Sequence, residues 1–142
     1  MAIIFLMKKN KLFKTIVLMM SFILVSGIIF WFTAIYRLDL PKKKIVVNGK
    51  EISVWVAETQ NAREQGLQNI IWLPKSSGML FAFDRPGIYC FWNKNTLRSL
   101  KLIFMRDGQV TEEIKLQSIW KGEYTVCPLY DADSVLEMID SR

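Results

Sequence analysis

Residues 16–36, IVLMMSFILVSGIIFWFTAIY, form an uncharged run of twenty-one positions between Lys14 and Arg37. Coiled as a helix at about 1.5 Å per residue, such a run reaches roughly 31 Å, against a bilayer hydrocarbon core of about 30 Å. The sequence therefore predicts a single transmembrane helix. Phe30, Trp31, Phe32 and Tyr36 gather toward its C-terminal end, where amphipathic rings suit the headgroup layer. A cleaved signal peptide is the rival reading, but its apolar region usually spans about 7 to 15 residues. Cleavage near Val25 and Gly27 would also leave a mature chain opening on the hydrophobic stub IIFWF. A buried soluble helix fits less well, because nothing else in the chain is long enough to surround it.

Charge follows the same partition. Residues 1–44 hold eight Lys and Arg against one acid, Asp39, whereas residues 45–142 hold eleven Lys and Arg against twelve Asp and Glu. The overall charge of +6 thus sits beside the apolar run, and the remainder has no electrostatic footprint for a phosphate backbone. Nucleic acid is not an expected partner. The chain divides into a basic tail (1–15), the transmembrane helix (16–36), a basic linker (37–44) and one domain (45–142). Met7-Lys8-Lys9 reads as an alternative start behind an apolar MAIIFL. Basic residues within reach of the helix tie at four on each side, so charge does not orient it. A short tail before an anchor, and an even pair of cysteines, favour an extracytoplasmic domain at the cell membrane.

Beyond Pro41 the pattern changes to short alternating segments. Strands are expected at 44–47 and 51–57 around Asn48-Gly49, and at 100–105 and 109–116 around Asp107-Gly108; both pairs suit the left-handed dihedrals of a tight hairpin turn. Ile52, Val54 and Val56 share one strand face. Two further apolar runs, 78–83 and 87–92, are divided by Asp84-Arg85-Pro86, and a last strand is expected at 134–138. One short helix interrupts the strands, with Thr59 as N-cap and Gly66 ending it. The fold class is mainly β: a small antiparallel barrel or sandwich-like domain with one short helix, preceded by the transmembrane helix.

Several spaced motifs resemble the bacterial and archaeal domain-of-unknown-function family 192. They are Ala57 and Thr59, Arg63 with Gly66-Leu67, Leu73-Pro74, Gly78-Met79-Leu80-Phe81 with Phe83, Phe91-Trp92 with Lys94-Asn95-Thr96-Leu97, and Phe104 with Asp107-Gly108 and Val110. Val135-Leu136-Glu137 is similar to the family's late strand. The resemblance implies a compact, mostly antiparallel β fold, often behind a signal peptide or anchor, and no particular reaction. Four places depart from the pattern: Gln68 and Ile70, Asn93 where the family carries methionine, and Ser99-Leu100-Lys101 where it carries Pro-Leu-Asp. The family also continues past Val-Leu-Glu into a closing strand, so this shortened C-terminus is expected to leave one sheet edge open.

Histidine is absent, which excludes Ser-His-Asp and Cys-His nucleophilic sites and leaves carboxylate, lysine or tyrosine chemistry. Two cysteines alone do not complete a zinc site, and no metal, cofactor or catalytic residue is assigned. The densest polar cluster is Lys94, Asn95, Thr96 and Arg98 beside Trp92, with Asp84 nearby if the strands around Pro86 pair. These six residues form the candidate ligand-binding set for an anionic or sugar-like ligand. The plainer reading has Asn95 and Thr96 satisfying backbone groups at a bend, with Lys94 solvated. Arg63 is expected to pair with a carboxylate such as Glu137. Cys90 and Cys127 stand as either a disulfide or two small buried hydrophobes. Trp72 and Trp120 fall outside any alternating pattern, so their exposure on one face would mark a binding surface.

These features point to a non-catalytic binding or accessory module of the cell envelope, whose partners are membrane lipid through the helix and an envelope protein or small polar ligand through the domain. A carboxylate-dependent hydrolase centred on Asp84 and Lys94, and a degenerate structural copy, are the alternatives.

Overall fold

The computed structural model describes residues 2–36, 40–74 and 76–140, with side chains throughout these segments except at 2–10, 12 and 30–36. Two compact units result, residues 1–39 and residues 40–142. The first is the helix α1, Ala2–Tyr36. Among the described residues no helix is long and apolar enough to cross a membrane. The expected span at 16–36 runs past the residues whose side chains are described, and it rests on the sequence.

In the second unit β1 (Lys42–Val47), β2 (Lys50–Ala57), α2 (Gln60–Gln65), β3 (Ser77–Gly87), β4 (Phe91–Trp92), β5 (Leu100–Arg106), β6 (Gln109–Leu116), β7 (Thr125–Val126) and β8 (Ala132–Ile139) follow in order. Six strands form one sheet in the order β1-β2-β3-β8-β5-β6, while β4 and β7 pair separately. Both hairpin turns form as their dipeptides dictate, with positive φ at Asn48, Gly49, Asp107 and Gly108. Thr59 caps α2 by accepting from the Ala62 N–H at 3.2 Å, and Gly66 ends the helix at φ 46°.

Four sequence expectations need correction. The sheet is mixed, because β2 and β3 run parallel; residues 58–76, with α2 among them, supply the long crossover that a parallel pair requires. The sheet is open, with β1 and β6 at its edges, so the barrel does not close. The late strand β8 lies in the middle of the sheet, antiparallel to both β3 and β5, so the open edges are not at the C-terminal strand. Finally, β3 continues through Asp84-Arg85-Pro86, with its register to β8 broken between Ala82 and Gly87. Pro86 is tolerated there because the irregularity asks for no ladder hydrogen bond from it. Lys42, Lys43 and Lys44 begin the edge strand β1, where lysines discourage pairing with another chain.

Alternation along the central strands supplies two apolar clusters, one on each sheet face. Trp55, Met79, Phe81, Leu102, Phe104 and Val135 serve the first, which the β4–β7 pair and α2 cover. Val54, Val56, Ile103, Met105 and Leu136 serve the second. Side chains of both sheet edges, Ile45 and Val47 from β1 and Val110 from β6, pack on this second cluster. The twisted sheet thus coils over its own face without sealing. Gly78 sits where β3 and β8 come closest: a Cβ there would lie 2.3 Å from the Glu137 carbonyl oxygen.

Candidate functional site

A cavity of about 290 Å³ lies over the first face, between α2 and the β4–β7 pair. Its walls include Leu67, Phe81, Phe83, Phe91 and Trp92. Phe81 and Phe91 meet edge to face at 5.1 Å, and Phe91 meets Phe104 likewise at 5.7 Å, so the aromatic floor is fixed by mutual packing. Glu137 of β8 projects into this apolar setting and is 4% exposed. Its Oε2 accepts from the Leu67 N–H at 3.3 Å. Burial pushes its carboxyl up from 4.5 to about 8, the bond from Leu67 working weakly the other way. At neutral pH the group is therefore mainly a neutral acid, able to donate one hydrogen bond and accept others. Gly66 makes the approach feasible. A Cβ at that residue would lie 3.3 Å from both Glu137 Oε2 and Phe81 Cζ, on a backbone with positive φ.

The expected ion pair between Arg63 and Glu137 does not form. The Arg63 guanidinium donates instead to the carbonyls of Glu58 and Ala82, and lies over the Phe83 ring at 5.4 Å. The cation satisfies chain carbonyls at one side of the cavity, and among the described residues no positive charge pairs with the carboxyl, so burial dominates its titration.

The sequence-derived set is dispersed around this site. Trp92 and Thr96 line the cavity, Thr96 being buried. Lys94 is exposed and lies over the Trp92 ring at 5.2 Å. Asn95 adopts a left-handed conformation at φ 53° and accepts from the Asn69 N–H at 2.8 Å. Arg98 donates to the Ile71 carbonyl at 3.2 Å. Asp84 lies on the irregular stretch of β3 and lines a separate, shallow groove with Arg63, Phe83, Arg85 and Tyr89. The strands around Pro86 do not pair with each other, so Asp84 and Lys94 share neither of these two cavities. Among the described residues no group of three or more His, Cys, Asp or Glu side chains gathers as for a metal ion.

Cys90 and Cys127 are joined in a disulfide immediately beyond the Phe91–Val126 pair of the β4–β7 ladder. Cys90 is exposed and also lines the cavity, so the bridge fastens the cover on the site. The departures from the family pattern also find places. Asn93 is fully buried; its side-chain amide donates to the Gly122 carbonyl at 2.7 Å and its carbonyl accepts from the Tyr124 N–H at 2.9 Å. It anchors the loop leading to β7, and both polar ends of the buried side chain are satisfied. Lys101 forms an ion pair with Glu113 at 2.9 Å. Glu137 is the group that sequence reasoning undervalued. Its signal was a single acid inside the apolar run Val135-Leu136-Glu137-Met138-Ile139, at a strand position facing the same way as Val135.

The model of the family DUF192, described as Uncharacterized ACR, COG1430, matches residues 43–141. The chain belongs to that family. Two solved structures are similar to it. One, from Sinorhizobium meliloti 1021 and provisionally described as a transcription regulator, is 25% identical with a TM-score of 0.59, covering 69% of this chain and 78% of that one. The other, a protein of unknown function from Novosphingobium aromaticivorans DSM 12444, is 18% identical with the same TM-score, 0.59, covering 74% of this chain and 85% of that one. No curated protein matches.

Proposed function

We propose that this DUF192 domain is a non-catalytic binding module that takes a small, mainly apolar ligand in the cavity over Glu137, and that residues 16–36 tether it to the membrane with the domain in the envelope. The observation that carries the first part is the buried carboxyl of Glu137 in the lining of an aromatic-walled cavity of about 290 Å³, where burial favours its neutral form. A few convergent polar groups in an apolar hollow are the usual make-up of a small-molecule site. A buried acid orients a hydroxyl or carbonyl of the guest through a hydrogen bond. The tether is supported by the uncharged run of residues 16–36 within α1. The envelope placement is supported by the exposed Cys90–Cys127 bridge, since disulfides persist in oxidising compartments. A regulator acting on DNA, as the Sinorhizobium description suggests, finds no support in a domain with eleven Lys and Arg against twelve acids.

The test uses p-cresol and toluene as probes, followed by NMR on the full chain. Both are expected to shift the signals of Phe81, Phe91 and Leu67, with p-cresol binding more tightly, and Glu137→Leu is expected to erase that preference. Absence of any shift at these residues in the folded protein would contradict the binding reading. Alkylation of isolated membranes without reductant tests the placement: two free thiols would contradict it.

A further inference from the structure

Three loops tied together by hydrogen bonds carry exposed tryptophans. The central segment is 92–99. From one side Asn69 donates to the Asn95 carbonyl at 2.8 Å, and Arg98 donates to the Ile71 carbonyl at 3.2 Å. From the other side Ile119 donates to the Thr96 carbonyl at 2.8 Å, while Asn93 holds the Gly122 carbonyl at 2.7 Å. Ile71, Trp72, Trp92 and Trp120 on these loops are 59%, 73%, 48% and 77% exposed. A single exposed hydrophobe needs no explanation, but large apolar groups on three joined loops mark an interaction surface.

The charge on the same loops is uneven. Residues 68–73, 92–99 and 118–124 contain Lys94, Arg98 and Lys121 against one acid, Glu123, although the domain as a whole is slightly acidic. Lys94 and Lys121 are exposed. Tryptophan beside lysine and arginine is the composition of groups that settle at a lipid–water boundary, the indole among headgroups and the cation at phosphate. Protein interfaces enrich tryptophan and arginine but deplete lysine, and two of these three cations are lysines.

We infer that this Trp72–Trp92–Trp120 surface docks on a membrane bearing anionic phospholipid. Indoles of Trp72 and Trp120 enter the headgroup layer, and Lys94, Arg98 and Lys121 meet lipid phosphates. The inference does not depend on what fills the Glu137 cavity. Trp92 belongs to both, so docking would bring one wall of that cavity to the lipid surface.

Amide hydrogen exchange of the full chain tests it, with phosphatidylcholine vesicles and with vesicles of mixed phosphatidylcholine and phosphatidylglycerol. Exchange within residues 71–73 and 119–122 is expected to slow on the order of tenfold on the anionic vesicles relative to the neutral ones. That protection is expected to vanish in Lys94→Glu/Lys121→Glu and in Trp72→Ser/Trp120→Ser; the first variant keeps the Arg98 tie, and all four side chains are exposed, so the fold survives both. Equal exchange on the two vesicle types would overturn the inference. So would protection that persists in the charge-reversed variant, or protection without vesicles that grows with protein concentration. Flotation with the neutral vesicles reads the N-terminal tether separately. A chain that fails to float there still meets the anionic vesicles through this surface.

Discussion

Leu136 and Glu137 are neighbours on β8, yet they face opposite sides of one sheet and live in different surroundings. Leu136 is fully buried in the cluster that the coiled sheet makes over its own face. Glu137 lies under a cover assembled from a one-and-a-half-turn helix, two strands of two residues each and a disulfide. The Leu136 face keeps ionisable groups out of its apolar cluster, and Lys101, Glu113 and Asp140 line a groove at that cluster's margin with Ile103 and Met138. The Glu137 face is covered by short pieces that leave a cavity of about 290 Å³. One strand therefore presents a fully buried leucine to one face and a buried acid to a cavity on the other.

Substitutions can break that contrast. Leu136→Ala is expected to cost toward the upper end of about 2 to 5 kcal/mol, because the residue is fully buried among side chains that cannot collapse inward. Chemical denaturation measures it, and p-cresol binding to the folded fraction should be unchanged. Opening the other face acts differently. The bridge closes a loop of 38 residues, and Cys90→Ser/Cys127→Ser is expected to lower stability by about 4 kcal/mol on the chain-entropy account. Here probe binding should weaken as well, since Cys90 lines the cavity.

Glu137 sharpens the comparison through pH. The folded protein holds its proton up to about pH 8, whereas the unfolded chain releases it near 4.5. Across that window the folded state binds more protons, so this group lowers stability as pH rises, by about 1.4 kcal/mol per unit at most, and the loss levels off above pH 8. Subtracting the pH–stability profile of Glu137→Gln should isolate this slope. The smallest effect belongs to the partly exposed Lys101–Glu113 pair, where Lys101→Ala should change stability by about 0 to 1 kcal/mol. A larger loss in denaturant titrations would mean that the lysine departing from the family pattern does more than pair across two strands.

Much of the scaffold was legible in the sequence because its signals are local. Asn48-Gly49 and Asp107-Gly108 encode turns through their own dihedral preferences, and Thr59 and Gly66 encode the two ends of α2. The 109–116 strand was placed to the residue. What the sequence concealed depends on pairings between distant segments. Nothing around Ser77 states that β3 runs parallel to β2, and nothing around Val135 states that the last strand enters the centre of the sheet. Strands of two residues, β4 and β7, are held side by side by a disulfide and by Asn93. The candidate set is dispersed for a related reason. Lys94, Asn95 and Arg98 stood out as a dense polar cluster, but two of them tie loops and the third lies over an exposed indole. Glu137, alone in an apolar strand, became conspicuous only when α2 and Phe91 were brought over it from elsewhere in the chain.

The most direct measurement is a ¹³C NMR titration of the Glu137 carboxyl in the full chain, with Glu137→Gln to assign the signal. Titration near pH 8, with the group protonated at pH 7, is the predicted result. A midpoint close to 4.5 would mean that water reaches the carboxyl freely, and that the apolar cavity described over it does not exist in the protein.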